Sequence, residues 1–158
     1  MNQSKIVLPP DIIILIAAQF DEKAVISCHS EMRDQQLSVM LISVMPGLVQ
    51  SIRGITVYPH SHLSMGEALV SQNKRQTIVL AGGEACAAKT LSDPRTHLLI
   101  DAVLQRGGYV AVMAKADFLV KETASFSKQW ASRVIYQAEE ETAVFRQQII
   151  TTMKLTNR

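Results

Sequence analysis

The chain has 158 residues, enough for one domain with a sizeable core. Its 47% hydrophobic and 19% charged residues place it among ordinary globular proteins. A formal net charge of only +2, on Lys and Arg scattered along the chain, leaves no electrostatic footprint for nucleic acid, and 5% aromatic residues argue against base-stacking platforms.

Residues 1–10 read as an N-terminal extension, halted by Pro9-Pro10, and 11–158 as a single domain. The apolar stretch before the prolines is too short for a signal-peptide core. Ile12 to Ala18 is far shorter than a membrane span, so a cytoplasmic location without membrane contact is expected. Ile12 to Ala17 is a continuous, mostly β-branched run, which predicts a buried central strand. Phe20 to Arg33 has helical spacing, with Phe20, Ala24, Cys28 and Met32 on one stripe. Leu37 to Val44 predicts a second strand, ended by the Pro46-Gly47 turn. Ile55 to Tyr58 suits a short strand, His60 to Ser64 a loop, Met65 to Val70 a short helix, and 71–75 a polar connector. Thr77 to Ala81 predicts a buried strand ended by Gly82-Gly83. Asp93-Pro94 then marks an N-cap with proline at the first helical position, and Gly107-Gly108 marks that helix's end. Tyr109 to Met113 predicts the next strand and Ala116 to Val120 a helix packed after it. Arg133 to Tyr136 predicts the last strand. Glu139 to Met153 predicts a closing helix, with Glu139, Glu140 and Glu141 complementing its dipole. Strands alternating with helices argue for a parallel sheet covered on both faces.

Five patterns in this order resemble the ThiJ/PfpI (DJ-one) superfamily, within the class I glutamine-amidotransferase-like group. Ile12 to Glu22 is similar to that family's first strand and acidic turn. Val39 to Val44 with Gly54 to Pro59 is similar to its second strand and the extended segment beyond. Ile78 to Gly83 resembles its strand ending in Pro-Gly-Gly, with Ala81 in place of proline. Tyr109 to Ala114 falls where the family has a strand entering a sharp turn that carries cysteine, and Ile135 to Ile150 resembles the last strand and helix. Gly54 to Leu63 is also similar to the sensing domain of some AraC-type regulators, whose DNA-binding helices have no room here. The likeness runs from about residue 11 to residue 153. It implies a three-layer α/β/α sandwich with a mostly parallel, flavodoxin-like sheet, and a homodimer.

The chemistry of such a site needs a thiolate at an exposed, electropositive elbow, with backbone N–H groups near the Gly-Gly turn to hold an oxyanion. On the resemblance, the elbow position is Met113, whose thioether has no proton to lose. The position of the family's glutamate is Ala24, and Ala114-Lys115 stand where relatives often have Ala-Gly. These departures imply a site that has lost its nucleophile. The chain is also short between Phe118 and Arg133, where relatives carry a further pocket wall. The expected function is therefore non-catalytic, by binding a small molecule or a protein such as a regulatory partner, with no cofactor and no metal. The residues expected to border the old pocket are Gly82, Gly83, Glu84, Met113, Ala114 and Lys115. A Glu84–Lys115 ion pair is one way to fill it, although both glycines are first of all turn residues.

Two alternatives stand beside this reading. Cys86, in the loop after the Gly-Gly strand, could serve as a displaced nucleophile of a hydrolase or a carbonyl-adduct-processing enzyme. It would have to be exposed and ionisable, whereas a free cysteine among Ala85, Ala87 and Ala88 is more often a small hydrophobe packed at a helix start. The chain could instead be the ligand-sensing module of a regulatory system. Cys28 is expected in the core, with His29 pointing elsewhere. His60 and His62 share one side of an extended segment but lack a third metal ligand nearby. Asp21 and Glu22 are expected at the surface, less readily at the pocket mouth. Trp130 reads as a core-edge or partner-surface residue.

Overall fold

The computed structural model describes residues 8–116, 128–137 and 142–156. β1 (Ile12–Ile16), β2 (Val39–Ser43), β5 (Ser61–His62), β6 (Thr77–Leu80), β7 (Tyr109–Val112) and β8 (Val134–Tyr136) form one parallel sheet in the order β5-β2-β1-β6-β7-β8. Ile14 of β1 lies in register between Leu41 of β2 and Val79 of β6. Every residue of β1 is fully buried. An unbroken apolar run suits this strand because helices cover the sheet on both sides.

The connection from β1 to β2 runs one way along the sheet, and that from β6 to β7 runs the other. Right-handed crossovers then place α1 (Glu22–Asp34) and α4 (Pro94–Gln105) on opposite faces. The closing helix α5 (Thr142–Thr156) packs against α1 and β8, with Arg146 pairing Glu31 across the two helices. α3 (Glu84–Ser92) packs with α4. The result is the expected three-layer α/β/α sandwich. A separate antiparallel pair, β3 (Val49–Gln50) and β4 (Thr56–Val57), the short α2 (Gly66–Leu69), and 3-10 turns at Leu63–Met65 and Lys128–Arg133 complete the described elements. No helix among the described residues is long and apolar enough to cross a membrane.

Capping chemistry sets the helix starts. Asp21 accepts from the amides of Lys23 (3.2 Å) and Ala24 (3.5 Å), so α1 begins at Glu22 and not at Phe20. Its buried stripe is consequently Glu22, Val25, Cys28 and Met32. Ala24 is only half-buried, and Phe20 reaches the core from the preceding turn, where it bridges Ser51. Asp93 caps α4, accepting from Arg95 N at 2.9 Å, with Pro94 at the first position as predicted.

Local details differ from the expectations. The stretch 60–64 is not a plain loop: Ser61–His62 adds a strand to β2, and Leu63–Met65 makes a 3-10 turn. Cys86 is not in a loop after the strand: α3 starts directly after Gly83, and Cys86 is buried near its start, as the packing reading expects. Val49–Gln50 also forms a strand that composition did not signal, because a two-residue pair carries no period. The predicted helix at 116–120 beyond Ala116, the Glu139–Glu141 run, the side chain of Trp130 and most of the shortened stretch 118–133 lie outside the described residues.

Candidate functional site

The carboxyl ends of β1, β6 and β7 lie side by side at the point where the strand order reverses, the usual place for a ligand in an open parallel sheet. Met113 directly follows β7 and is 2% exposed. Its N–H still donates to Leu80 O (3.1 Å), and its carbonyl accepts from Ala116 N (3.1 Å), closing a tight turn. Within that turn Lys115 takes a left-handed φ of +67°, a conformation that glycine would adopt without strain.

The two glycines after β6 are where the structure closes. A Cβ on Gly82 would lie 2.8 Å from Ala114 O, and one on Gly83 would lie 2.6 Å from Gln19 O. Gly83 also has φ +104°, and Gly82 O accepts from Asp21 N at 3.0 Å. Both glycines therefore serve the approach of three backbone segments. On the other side of the turn, Ala114 N donates to Gln137 Oε1 (2.8 Å). Gln137 is buried, donates its own N–H to Val112 O (2.9 Å), and donates from Nε2 to Thr142 Oγ1 (3.3 Å). The amide that follows Met113 thus already has its acceptor.

The structure brings together five of the six expected border residues: Gly82, Gly83, Met113, Ala114 and the backbone of Lys115. The expected Glu84–Lys115 pair is not formed. Both side chains are exposed, and no ion pair joins them among the described residues. In place of that pair, Arg53 from the β3–β4 turn reaches Asp21 Oδ1 (3.0 Å) and Glu22 Oε2 (3.2 Å). Glu22, expected at the surface, is 4% exposed. Burial works to raise the Asp21 carboxyl, but Arg53 and the amides of Ala24 and Lys23 outweigh it and hold it below its ordinary value. Ile52 N to Phe20 O (2.9 Å) and Gln19 N to Gln50 O (2.8 Å) tie the same hairpin to the β1–α1 turn.

Cys86 does not meet the condition set for a substitute nucleophile. It is fully buried on α3, its sulfur accepts from Ala17 N (3.3 Å), and burial pushes its thiol up. Cys28 sits in the core as expected. Burial, helped by Glu31 and opposed by Arg146, pushes its thiol up to about 12. His60 stacks on His29 with centroids 6.0 Å apart, and its Nδ1 accepts from Leu41 N (2.9 Å). Burial first, then His60 and Arg33, hold His29 below its ordinary value. His62 Nδ1 instead meets Ser64 Oγ (2.8 Å), and no cluster of three metal-ligating side chains occurs among the described residues. A cavity of about 730 Å³ does open beside the corner, between the ends of β1 and β2, against Ala17, Val44, Met45, Leu48 and Lys89. None of the six expected border residues lines it.

Gln137 and Arg53 were not singled out in the sequence. A glutamine after a short edge strand and an arginine in a polar turn carry no motif, and only the fold brings them to this corner.

The DJ-1/PfpI family model matches residues 10–156. No curated protein sequence matches the chain. Among solved structures, Schizosaccharomyces pombe DJ-1 is similar, with a TM-score of 0.74 and 10% identity over 90% of each chain. Drosophila melanogaster DJ-1beta gives 0.72 and 14% identity, covering 92% of this chain and 90% of that one. A DJ-1 superfamily protein from Salmonella typhimurium gives 0.68 and 16% identity, covering 89% and 86%.

Proposed function

The chain belongs to the DJ-1/PfpI family, and from that premise we propose that it acts without covalent catalysis, as a self-assembling binding protein. The observation that carries the reading is the bond from Ala114 N to Gln137 Oε1 at 2.8 Å, beside Met113. An acyl-transfer site needs a thiolate at this turn and a free amide beside it to receive negative charge. Here the side chain is a buried thioether and the amide is occupied. Neither cysteine replaces the thiolate, since both are buried with raised thiols.

Thiol labelling as a function of pH tests this reading, with Cys28→Ser and Cys86→Ser separating the two sites. Both cysteines should label only as fast as the protein unfolds. Rapid labelling of Cys86, with an apparent pKa under that of a free thiol (about 8.5), would return the chain to the enzymes.

Assembly is supported by the surface around the β3–β4 hairpin. Leu48, Ile52, Ile55 and Tyr58 are exposed there, Tyr58 by 79% and Leu48 by 69%. Large apolar side chains grouped on one hairpin suit burial against a second copy of the chain. In this reading the protein sediments as a dimer, and Leu48→Asp with Ile52→Asp makes it a monomer without loss of folding. A wild-type monomer at micromolar concentration would exclude self-assembly. A sensing role would use the cavity beside Met45 and Lys89 in preference to the closed glycine corner.

A further inference from the structure

At the opposite, amino-terminal end of the sheet Arg75 and Arg133 converge on Gly107, beside Arg106, and no carboxylate among the described residues pairs with them. α4 ends in a Schellman turn: Gly108 N donates to Val103 O and Gly107 N to Leu104 O, both at 3.0 Å, with Gly107 at φ +80°. Backbone groups thus satisfy the carbonyls of Val103 and Leu104. A Cβ on Gly107 would lie 3.1 Å from Arg75 Nε and 3.3 Å from Arg133 Nη1, so the bare glycine leaves a cradle on which both guanidiniums converge. Arg106, which precedes Gly107, donates from Nη2 to Gln72 Oε1 (2.9 Å), in the same connector that carries Arg75, and from Nη1 to Ala102 O (3.4 Å). Arg133 holds its Cζ 5.8 Å from the centroid of the Tyr109 ring.

Among the described residues none of these three arginines has an acidic partner. Arg133 Nη1 is buried and has no hydrogen-bond acceptor among the described residues. A buried donor left unpaired is costly, and like charges drawn together add repulsion. The dipole at the end of α4, worth about half a charge, offsets only part of three positive charges. One ligand class removes both costs: a compact oxyanion of more than one charge, whose several oxygens accept from more than one guanidinium fork. A monocarboxylate has one charge and two oxygens, fewer than the corner can use.

The geometry points to a phosphate-binding site formed by Arg75, Arg106 and Arg133 around Gly107, for inorganic phosphate or the phosphate of a small metabolite. Arg75 precedes β6 and Gly82 follows it, so the site lies at the far end of the strand from the closed corner and does not depend on that corner's role.

Calorimetric titration with inorganic phosphate, against sodium chloride at matched ionic strength, tests it. The wild type should bind phosphate saturably at one site per chain, and phosphate should raise its thermal midpoint by mass action. Arg75→Gln and Arg133→Gln should each weaken binding about tenfold or more and abolish the rise in midpoint. Arg133→Gln removes the unpaired Nη1 donor together with the Tyr109 contact, and should still fold in phosphate-free buffer. Should it fail to fold, the exposed Arg75→Gln carries the test. Titration with ribose 5-phosphate separates the two sources: tighter binding than inorganic phosphate assigns the site to a phosphate ester, and equal or weaker binding to the free anion. A non-saturating response, or variants that bind as wild type does, overturns the site.

Discussion

Gly83→Ala should destabilise the protein by about 2–5 kcal/mol, and Gly82→Ala by about 1–3 kcal/mol. At Gly83 two penalties combine. An L side chain is strained at φ +104°, and its Cβ would stand 2.6 Å from Gln19 O, a backbone atom that cannot rotate away. Gly82 has only the steric term, 2.8 Å to Ala114 O. Relief requires the β1–α1 turn or the turn after Met113 to move, and both are anchored: Asp21 N to Gly82 O on one side, Ala114 N to Gln137 on the other. Gly66→Ala is the internal control. A Cβ there meets nothing within 4 Å, at the start of a helix, so that substitution should be neutral or stabilise by up to about 1 kcal/mol. Urea denaturation of the three variants reads these differences directly. A Gly83→Ala protein as stable as wild type would mean that the corner is open, and would restore it as a candidate ligand pocket.

The glycine corner also shows where sequence reading succeeds and where it stops. β1 was legible because Ile12–Ile16 is an unbroken aliphatic run, and such runs are buried on both sides of a parallel sheet. α4 was legible because Asp93-Pro94 and Gly107-Gly108 bracket it with caps. α3 is only half legible: the alanines around Cys86 suggest a helix start after Gly82-Gly83, but not the helix's extent. Its alanines give almost no amphipathic contrast, and Gly83 caps it without a side chain. The apolar spacing puts the start of α1 two residues too early, because Phe20, although fully buried, enters the core from a turn. That shift moved the buried stripe from Ala24 to Val25 and hid the burial of Glu22. At the site, the linear order put Gly82, Gly83 and Met113 together through the strand ends. Gln137 and Arg53 escaped for a different reason: their roles exist only through contacts of 23 and 31–32 residues' separation. Such contacts have no periodicity to detect. The same holds for Arg75, Arg106 and Arg133, which are scattered in sequence and meet only where three turns meet in space.

Met113→Cys restores a sulfhydryl to the turn and should still give an unreactive protein. The new thiol would occupy a position 2% exposed, where desolvation raises the pKa by penalising the thiolate. An activated cysteine needs compensation from a nearby cation, a helix N-terminus or free backbone donors. The neighbouring amide, Ala114 N, is already bound to Gln137 Oε1, and Arg53 is engaged by Asp21 and Glu22. Ala24 offers no carboxyl to share a proton with the sulfur. The Met113→Cys thiol should therefore titrate above the free value of about 8.5, in contrast to about 3.5–7.5 for activated cysteines. It should also cost about 1–2 kcal/mol of stability for the volume removed. Measured in a Cys28→Ser/Cys86→Ser background, its alkylation rate at pH 7 should be no faster than global opening. Adding Gln137→Ala frees the amide and should shift the thiol downward. If Gln137 is what occupies the charge-stabilising donor, this double change must act where Met113→Cys alone does not. A low thiol pKa in the single variant would show that the turn still holds its charge-stabilising environment, leaving only the missing sulfhydryl between this chain and a nucleophilic site.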